Sequence, residues 1–328
     1  MTRDYADPPV LVCGGAGYIG SHMVAMLAEH GRRVVVVDNL SSGHADAVAA
    51  APLERGDIGD ARFIASVLER HRPDCVMHFA GSSLVAQSLR EPAAYWRNNV
   101  FCTLVLLEAM RAAGVRQLVF SSTAAVYGEP ERVPIPEDHP CRPINPYGHS
   151  KLAVEHLLDD FGRAHGLRSI SLRYFNAAGA HPLGMLGERH EPETHLIPRV
   201  LQAAAGRVPH VARFGLSHGT PDGSCVRDFI HVQDLCAAHL LALERLRSGG
   251  ASAVYNLGTG RGHSVTEVID AARRVTGRAI EVADEPAREG DPPALVADAS
   301  RARDELGWTP RYPQLQTMIA HAWAFMSR

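Results

Sequence analysis

Short apolar, β-branched runs alternate with longer amphipathic stretches through the first half of the chain. Runs such as Val10 to Cys13, Val34 to Asp38 and Cys75 to Phe79 predict buried strands, and apolar residues spaced three or four apart predict helices between them. The helices are predicted from about Ile19 to His30, Ala61 to His71, Pro92 to Ala113 and Pro146 to His165, with further strands at Gln117 to Ser121 and Ser169 to Tyr174. This alternation predicts a parallel sheet covered by helices on both faces, which is a doubly wound α/β domain.

The rhythm changes after about Asn176, where a loop-rich stretch dense in Gly, Pro and His begins. Helical patterns return at Leu196 to Ala205, Val232 to Leu246 and Val265 to Val275, with no linker long or polar enough to separate an independent domain. We therefore expect a first domain of residues 1–176 and a smaller lobe of residues 177–328, some segments of which return to the first domain.

Charge and composition narrow the classes of partner. The chain is 46% hydrophobic and 21% charged, and its net charge of -3 is spread without long runs of one sign. This balance argues against nucleic acid or a membrane as partner and favours a small-molecule function. No apolar run approaches the roughly 18 residues that span a bilayer, and the acidic start MTRDYADPPV is unlike a secretory signal, so we expect a cytoplasmic protein.

Neither the cysteines nor the histidines form a known metal-ligand pattern. The six cysteines are scattered without a C-x-x-C pair and are expected to be reduced core thiols. His181, His190 and His195 lie within one loop-rich stretch, but their spacing fits no ligand motif on a helix or strand. On this pattern we expect no metal site.

A glycine-rich turn follows the first predicted strand. Gly14, Gly17 and Gly20 form a G-x-x-G-x-x-G pattern that opens a helix, where backbone N–H groups and the helix dipole favour a pyrophosphate. Asp38 ends the next strand, where a carboxylate accepts hydrogen bonds from an adenosine ribose and repels a 2′-phosphate. The pattern predicts NAD rather than NADP, with Asp57 and Ile58 of a later loop placed to flank the adenine.

Tyr147 and Lys151 stand four residues apart at the start of a predicted helix, so they share one face. A nearby ammonium and the positive charge of oxidised nicotinamide would both favour the tyrosinate, which makes Tyr147 a proton acceptor. Ser121, Ser122 and Thr123 end an earlier strand and can supply a hydroxyl to the same site.

The composition strengthens the interpretation of this pair. The chain has 32 arginines and a single lysine, Lys151. A compact ammonium differs in reach and geometry from a planar guanidinium. A single lysine in a chain that otherwise uses arginine indicates a role that arginine does not fill.

Ten motifs follow one another along the chain from about Val10 to Trp308: GGAGYIG, VVDNLSSG, HFAG, NNV, SSTAAVYG, PYGHSK, LRYFNAAGAHP, VRDFIHVQDL, YNLGTG and REGDPPALVADAS. With these motifs in this order, the chain resembles the UDP-glucose 4-epimerases of the extended short-chain dehydrogenase/reductase family. This resemblance implies a Rossmann-type sheet with a smaller C-terminal substrate-binding lobe, and a homodimer that forms through the two long helices.

The resemblance also implies an isomerase reaction on a UDP-sugar. Tyr147 would take the proton of the sugar 4-hydroxyl while hydride passes from carbon 4 to tightly bound NAD. The 4-keto sugar would then turn over and receive hydride on its opposite face, which interconverts UDP-glucose and UDP-galactose. Thr123 would be the hydroxyl partner of Tyr147, and Lys151 the cofactor anchor.

Further residues match binding positions of that family. On the dinucleotide these are Gly14, Gly17, Tyr18, Ile19, Gly20, Asp38, Asn39, Ser41, Asp57, Ile58, Phe79, Ala80, Gly81, Asn98 and Phe175, together with Tyr147 and Lys151. On the UDP-sugar these are Thr123, Asn176, His195, Leu196, Phe214, Arg227, Phe229, Arg288, Asp291 and Leu295. The two guanidiniums in this second set suit a diphosphate, since each can donate a bidentate fork to neighbouring oxygens.

A few positions depart from the family pattern. Thr123 replaces a commoner serine, Cys13 a threonine, His195 an asparagine and Phe229 a tyrosine; none removes an essential group, so we expect activity with altered affinity. Leu295 stands where a tyrosine crowds the sugar 2-substituent in glucose-restricted enzymes. The shorter leucine leads us to expect that UDP-N-acetylglucosamine and UDP-N-acetylgalactosamine are also substrates.

Three alternatives stay open on the sequence. Sugar-nucleotide dehydratases and decarboxylases keep acidic residues after the Ser/Thr, whereas Ala124 and Ala125 stand here and cannot act as acid or base. A pentose 4-epimerase stays open because the pocket around carbon 6 of the sugar is built from loops. A catalytically silent NAD-binding regulator is disfavoured because Thr123, Tyr147 and Lys151 are all present.

Overall fold

Two compact units make up the chain in the computed structural model, which describes residues 7–48, 51–288 and 291–328. The first unit draws on Met1–Val126, Pro143–Arg173 and Cys236–Tyr255. The second unit draws on Tyr127–Arg142, Tyr174–Leu235 and Asn256–Arg328. The chain therefore passes between the units several times. No helix among these described residues is long and apolar enough to cross a membrane.

A seven-stranded sheet with the order β10-β6-β5-β4-β1-β2-β3 is the main feature of the fold. Its strands are β1 (Val10–Cys13), β2 (Val34–Asp38), β3 (Leu53–Arg55), β4 (Cys75–His78), β5 (Gln117–Thr123), β6 (Arg168–Tyr174) and β10 (Ala253–Leu257). The pairs from β3 through β5 are parallel. An order that runs outward in both directions from β1 and β4 is that of a doubly wound, Rossmann-type sheet, as the alternating pattern predicted.

The helices of the first half follow the predicted stretches closely. They are α1 (Tyr18–Glu29), α2 (Ala61–His71), α3 (Val85–Arg90), α4 (Pro92–Tyr95), α5 (Cys102–Ala113) and α6 (Pro146–His165). The long helix predicted from Pro92 to Ala113 is interrupted by a π-helical turn at Trp96–Phe101. Short 3₁₀ turns lie at Ala45–Val48 and Ala124–Tyr127.

Local signals fix both ends of α6, the helix that carries Tyr147 and Lys151. The side chain of Asn145 caps its first turn by accepting the N–H of Gly148 at 2.9 Å, and Pro146 takes a position where no N–H is needed. Gly166 ends the helix in the left-handed conformation, with φ of 70°. The sequence thus sets which helical turn faces the end of β5.

The core of the first unit lies where the sheet packs on its helices. Leu11 of β1, Val76 of β4 and Leu118 of β5 are fully buried against Leu106 of α5 and Val154 of α6. Burying such a side chain contributes about 1.5–3 kcal/mol. This core therefore fixes the positions of the strand ends that form the candidate site.

The second unit contains two small sheets and several helices. Its strands are β7 (Asn176–Ala178), β8 (Val211–Phe214), β9 (Val226–His231), β11 (Gly262–Ser264), β12 (Val282–Glu285) and β13 (Ala294–Leu295), and β9 pairs with β7, β11 and β13. Its helices are α7 (Leu196–Ala204), α9 (Val265–Thr276), α10 (Ser300–Leu306) and α11 (Leu315–Met326), while α8 (Val232–Arg247) runs from this unit into the first. These short strands were not predicted.

Candidate active site

The turn between β1 and α1 requires glycine at two positions for reasons of space. Gly14 has a φ of 79°, and a Cβ there would lie 2.5 Å from the backbone nitrogen of Ala80. A Cβ at Gly20 would lie 2.1 Å from the carbonyl oxygen of Gly14. These two predicted cofactor residues therefore allow the helix, the turn and the end of β4 to approach one another closely.

Gly17 keeps the N-terminus of α1 open. It is the N-cap residue and offers no side-chain cap, and a Cβ there would meet only the Gly14 carbonyl oxygen, at 3.4 Å. The 12-residue helix α1 begins at Tyr18, so the N–H groups of its first turn, which include those of Ile19 and Gly20, are directed at this open space. A pyrophosphate fits this arrangement of donors and dipole.

The predicted adenosine side is built from two neighbouring loops. Asp38 is 8% exposed, and its carboxylate accepts the N–H groups of Ala16 at 2.9 Å and Leu40 at 2.8 Å. Asn39 donates its amide to the Asp57 carboxylate at 3.0 Å. The same loops carry Ser41, which is exposed, and Ile58, which is buried. Because a carboxylate oxygen has two lone pairs, the fixed Asp38 can still accept from a ribose hydroxyl.

The end of β4 lies against the end of β1. Phe79 and Ala80 both donate their backbone N–H to the carbonyl of Cys13, at 2.8 and 3.0 Å. Burial raises the pKa of the Cys13 thiol to about 12, with a smaller contribution from Asp38. Cys13 therefore stays protonated, and its replacement of a threonine leaves a small apolar side chain under the turn.

The buried amide of Asn99 was not predicted as a site residue, although its neighbour Asn98 was. Asn99 accepts the N–H of Ser82 at 2.8 Å and donates to the Ser150 hydroxyl at 2.9 Å, while Asn98 donates to the Ser82 hydroxyl at 3.0 Å. Asn99 therefore ties the loop after β4 to α6. A Cβ added at Gly81 would lie 3.1 Å from the side-chain amide oxygen of Asn99, so the loop after β4 packs closely against Asn99.

Thr123 and Tyr147 form the hydrogen-bonded pair predicted for proton transfer. Burial raises the pKa of Tyr147 above its ordinary value, and the hydrogen bond with Thr123 lowers it in part. Gly148 allows this contact, because a Cβ there would lie 2.5 Å from the carbonyl oxygen of Ala125. The first turn of α6 is thus pressed against the end of β5, with the phenol beside the hydroxyl.

Lys151 is 5% exposed and lies one helical turn along α6. Its Nζ donates to the carbonyl oxygen of Ser121 at 2.9 Å and lies 4.9 Å from the centre of the Phe120 ring. Burial lowers the pKa of its ammonium to about 8. Lys151 and Tyr147 thus both lie at the end of β5, one helical turn apart on α6.

A buried ion pair beneath the site was also missed. Arg173 of β6 donates to both carboxylate oxygens of Glu155, at 3.0 and 2.5 Å, and the Ser122 hydroxyl donates to the same carboxylate at 2.5 Å. Both charged side chains are 7% exposed. This network connects α6 to β5 and β6, so it helps to fix the two elements that carry Thr123 and Tyr147.

In the second unit, the two arginines predicted for a diphosphate are positioned differently. Arg227 is 12% exposed, forms an ion pair with Asp291 and donates to the Val226 carbonyl at 2.8 Å. Arg288 is exposed and stacks on Phe214, with 3.6 Å between its guanidinium carbon and the ring centre. Asp291 therefore holds one guanidinium in place and an aromatic face holds the other.

Strand register brings four further predicted residues together in pairs. Asn176 of β7 pairs with Phe229 of β9, and Leu295 of β13 pairs with Arg227 of β9. Phe229 is 4% exposed and belongs to the core of the second unit, so it offers little surface to a ligand, contrary to expectation. Phe175 is mostly buried, and its N–H donates to the carbonyl of Leu257 at 3.3 Å.

His195, predicted beside the uridine, has carboxylates as neighbours. Although burial lowers the pKa of His195, hydrogen bonds with Glu188 and Glu193 raise it to about 10. The same two carboxylates raise the pKa of His190 to about 9. Leu196, the next residue, begins α7. The repeated Glu-x-His pattern in GERHEPETH was the sequence signal for this cluster.

Comparison with known proteins gives one family for nearly the whole chain. A family model described as the NAD dependent epimerase/dehydratase family matches residues 10–258. A UDP-glucose 4-epimerase of Halalkalibacterium halodurans is 51% identical over 314 residues, which cover 96% of this chain and 94% of that protein.

Two solved structures extend the comparison to three dimensions. UDP-glucose 4-epimerase from Brucella ovis in complex with NAD superposes with a TM-score of 0.94 at 49% identity, covering 96% of this chain and 97% of that chain. UDP-glucose 4-epimerase from Bifidobacterium longum in complex with NAD⁺ and UDP superposes with a TM-score of 0.93 at 38% identity, covering 97% and 98%.

Proposed function

This chain belongs to the NAD dependent epimerase/dehydratase family, and from that premise we propose that it acts as a UDP-glucose 4-epimerase with tightly bound NAD. The observation that carries the proposal is that the first turns of α6 pack against the end of β5, where Gly148 lies against the Ala125 carbonyl, Lys151 donates to the Ser121 carbonyl and Tyr147 comes within hydrogen-bonding reach of Thr123. This packing places a phenol and a hydroxyl together where a sugar hydroxyl can exchange its proton. Ala124 and Ala125, which follow Thr123, provide no group for dehydration.

The first unit holds NAD through backbone donors and one carboxylate. The first turn of α1 beyond Gly17 binds the pyrophosphate, and Asp38 accepts from the adenosine ribose. The loops of Asn39 and Asp57 flank the adenosine, and Phe79 to Gly81 line the dinucleotide. When bound, NAD supplies reversible hydride transfer at carbon 4 of the sugar. Removal and return at one carbon make the net reaction an isomerisation that needs no external reductant.

Tyr147 moves the proton of the sugar 4-hydroxyl. As a phenolate it accepts that proton when the 4-keto sugar forms, and as a phenol it gives the proton back when the keto group is reduced. Burial raises the pKa of Tyr147, so the protein alone keeps it protonated. The positive charge of oxidised nicotinamide then favours the phenolate, which couples deprotonation to the oxidised state of the cofactor.

Lys151 and Thr123 orient the groups on either side of this proton. The hydroxyl of Thr123 hydrogen-bonds Tyr147 and accepts the N–H of Ala125 at 3.1 Å, which limits its rotation. The Lys151 ammonium is fixed by the Ser121 carbonyl and keeps donors for the cofactor ribose. Its charge in a buried position favours the phenolate once the site excludes water.

The second unit binds the nucleotide of the substrate. Arg288, stacked on Phe214, and Arg227, paired with Asp291, donate to the diphosphate oxygens. A phosphate competes with Asp291 for Arg227, so the carboxylate holds the guanidinium in position before substrate arrives. The nearby Asn176 is exposed and can contact the substrate as well.

One experiment tests the proposed reaction. Purified protein is incubated with UDP-glucose, UDP-galactose and UDP-xylose without added cofactor, and the products are resolved chromatographically. Interconversion of UDP-glucose and UDP-galactose is expected. A 4-keto-6-deoxy product would identify a dehydratase, and a bound NAD whose absorbance never changes with any UDP-sugar would identify a silent regulator.

We further propose that UDP-N-acetylglucosamine and UDP-N-acetylgalactosamine are substrates. Leu295 is half-buried and its strand position next to Arg227 is fixed by register, so its short side chain leaves room that a tyrosine would fill. Turnover of the acetylated UDP-sugars measured beside UDP-glucose tests this. Undetectable turnover of the acetylated pair would show that another residue limits the pocket.

We also propose that the protein is a homodimer. Trp96 is 45% exposed and Phe101 is 54% exposed on the π-helical turn before α5, and large apolar side chains at such exposure favour an interface. Light scattering coupled to size exclusion measures the mass directly. A monomeric mass at micromolar concentration would contradict the proposal.

A further inference from the structure

Four side chains that can ligate a metal converge in the loop before α7. Glu188, His190, Glu193 and His195 each offer one ligand atom, and these four atoms lie within 4.8 Å of one another. None of them belongs to the proton-transfer pair, and the cluster lies within the second unit. The convergence of two imidazoles and two carboxylates is the starting observation.

Four of the distances between histidine nitrogens and carboxylate oxygens are close to the ligand spacing of a zinc shell, with Glu193 facing His195 through Oε1 and His190 through Oε2. His195 Nδ1 lies 2.8 Å from a Glu188 oxygen and 3.1 Å from a Glu193 oxygen. His190 Nδ1 lies 3.1 Å from the Glu188 oxygen and 3.7 Å from a Glu193 oxygen. Four ligands at about 2.0–2.2 Å from a Zn²⁺ ion stand about 3.3–3.6 Å apart. The loop thus nearly forms the site before any ion binds.

Burial and charge point in the same direction. The side chains of Glu188 and Glu193 are only 9% and 4% exposed, whereas those of His190 and His195 are 29% and 40% exposed. The carboxylates therefore form the floor and the imidazoles form the side that faces solvent, which gives an ion a path of entry. Two carboxylates with two neutral imidazoles carry a charge of about -2, and one divalent cation balances it.

Without an ion, the two histidines are ion-pair partners of Glu188 and Glu193, and a divalent cation would displace their protons. The rings of His190 and His195 are 5.1 Å apart, so two imidazolium charges would repel each other across the same carboxylates. Both histidines also present the same atom type, Nδ1, to the carboxylates. A single ion satisfies all four groups without bringing like charges together.

The ligand Glu193 is oriented by a second layer of contacts. Its Oε1 accepts the backbone N–H of Thr194 at 2.7 Å and that of His195 at 2.8 Å. Outer hydrogen bonds of this kind fix a ligating carboxylate and strengthen binding. Both donors belong to the last turn before Leu196, so the position of the carboxylate is coupled to the start of α7.

We propose that Glu188, His190, Glu193 and His195 bind one Zn²⁺ ion that has a structural role. Imidazole and carboxylate ligands suit zinc, and four protein ligands fill a tetrahedral shell and leave no position for substrate. The ion fixes the loop that leads into α7 and Leu196, a residue expected at the nucleotide. His195 is thus a metal ligand and not a direct uridine contact. The metal site stands whether or not the protein is an epimerase.

Metal content tests the proposal independently of catalysis. Untagged protein is dialysed against Zn²⁺, freed of excess ion, and analysed by elemental mass spectrometry, together with Glu193→Gln, His190→Gln and the control His210→Gln at an exposed histidine. We expect about one Zn²⁺ per chain in the wild type and the control, and at least a tenfold loss in both ligand variants. Equal metal content in all four proteins, or none in the wild type, would overturn the site.

A spectroscopic test keeps the proposal falsifiable if a ligand variant fails to fold. Wild-type protein loaded with Co²⁺ in place of Zn²⁺ reports coordination geometry through its visible absorption. Strong tetrahedral bands, abolished by one equivalent of Zn²⁺ and unchanged by Ca²⁺, are expected. A weak octahedral spectrum, or displacement of Co²⁺ by Ca²⁺, would contradict the four-ligand site.

Discussion

The glycine-rich turn of the first unit and the Glu188 to His195 loop of the second unit are both built to hold a charged group, but by opposite means. The turn offers backbone N–H groups at the start of α1 and needs glycines so that a ligand can approach. The loop offers side chains that a folded backbone brings close together. The glycine-rich turn follows a recognisable sequence pattern, whereas the Glu188 to His195 site depends on the conformation of its loop.

The comparison extends to function. In the proposed function the first unit, which places Thr123, Tyr147 and Lys151 on adjoining strand and helix ends, carries the chemistry. The second unit, which places Arg227 and Arg288 on a short strand and a loop, is proposed to bind the nucleotide. Changes in the first unit should lower kcat, and changes in the second should mainly raise KM.

The largest effect is expected for Tyr147→Phe, which removes the proton acceptor and keeps the ring. Loss of general base catalysis should lower kcat by about 10³-fold, with little change in KM or in bound NAD. Steady-state kinetics and the NAD content of the purified variant measure both. A variant that keeps more than a tenth of wild-type kcat would show that another group accepts the proton.

Lys151→Arg should have the next largest effect, although it keeps the positive charge. The buried ammonium fits between the Ser121 carbonyl and the Phe120 ring, and a planar guanidinium is too large for that position. We expect kcat/KM to fall by about 10²-fold and NAD retention to weaken. If epimerisation and NAD content both survive unchanged, the special role of the lone lysine is wrong.

Arg288→Ala tests the binding side. Loss of a hydrogen bond to a charged group, worth about 1.5–3 kcal/mol, should raise KM for the UDP-sugar by about 10- to 100-fold, while kcat changes less. Arg278→Ala, at an exposed position on the same unit, is the matched control. A fall in kcat at unchanged KM would contradict the assignment of substrate binding to the second unit.

A pH dependence sharpens the role of Lys151 on the cofactor side. Its ammonium pKa is lowered by burial to about 8, from an ordinary value near 10.5. In the folded protein the charge is present below pH 8 and is lost as the pH rises through that value, so NAD retention should weaken above pH 8. The same burial opposes folding: this cost is fully present below pH 8 and is lost as the pH rises from about 8 to about 10.5, where the lysine of the unfolded chain also becomes neutral. NAD release measured from pH 6 to 10 tests this, and Lys151→Arg, which stays charged, should show no such midpoint.

Leu295→Tyr should have the smallest effect. The larger ring is expected to lower kcat/KM for UDP-N-acetylglucosamine by about tenfold and to leave UDP-glucose turnover nearly unchanged. The ratio of the two specificity constants is the measurement. An equal fall for both UDP-sugars would mean that the substitution disturbs the pairing of β13 with β9 and does not act on selectivity.

The sequence predicted features that are set by neighbouring residues better than features that depend on contacts between distant residues. The bounds of α6 were predicted correctly because Asn145, Pro146 and Gly166 are local signals. The π-helical turn at Trp96–Phe101 was not, since its apolar spacing resembles that of a continuous helix. The partner of Lys151 was missed because it is a backbone carbonyl, which has no residue type to find.

The assembled features of the second unit escaped prediction for a related reason. The two Glu-x-His pairs of the Glu188 to His195 cluster lie in a loop, and their convergence depends on a loop conformation that no regular element predicts. Phe229 was expected at the substrate, yet its place in the core follows from pairing among short strands that the pattern did not show. Likewise, the Asp291 partner of Arg227 is distant in sequence.

The central claim is that carbon 4 of the sugar is oxidised and reduced within one active site, with the proton passing only through oxygen. Epimerisation of UDP-galactose in D₂O, without added cofactor and followed by mass spectrometry and NMR of the UDP-glucose formed, tests it directly. The account predicts complete conversion to equilibrium with no deuterium on carbon 4. Deuterium at that carbon would show that its hydrogen exchanges with solvent and would contradict the account.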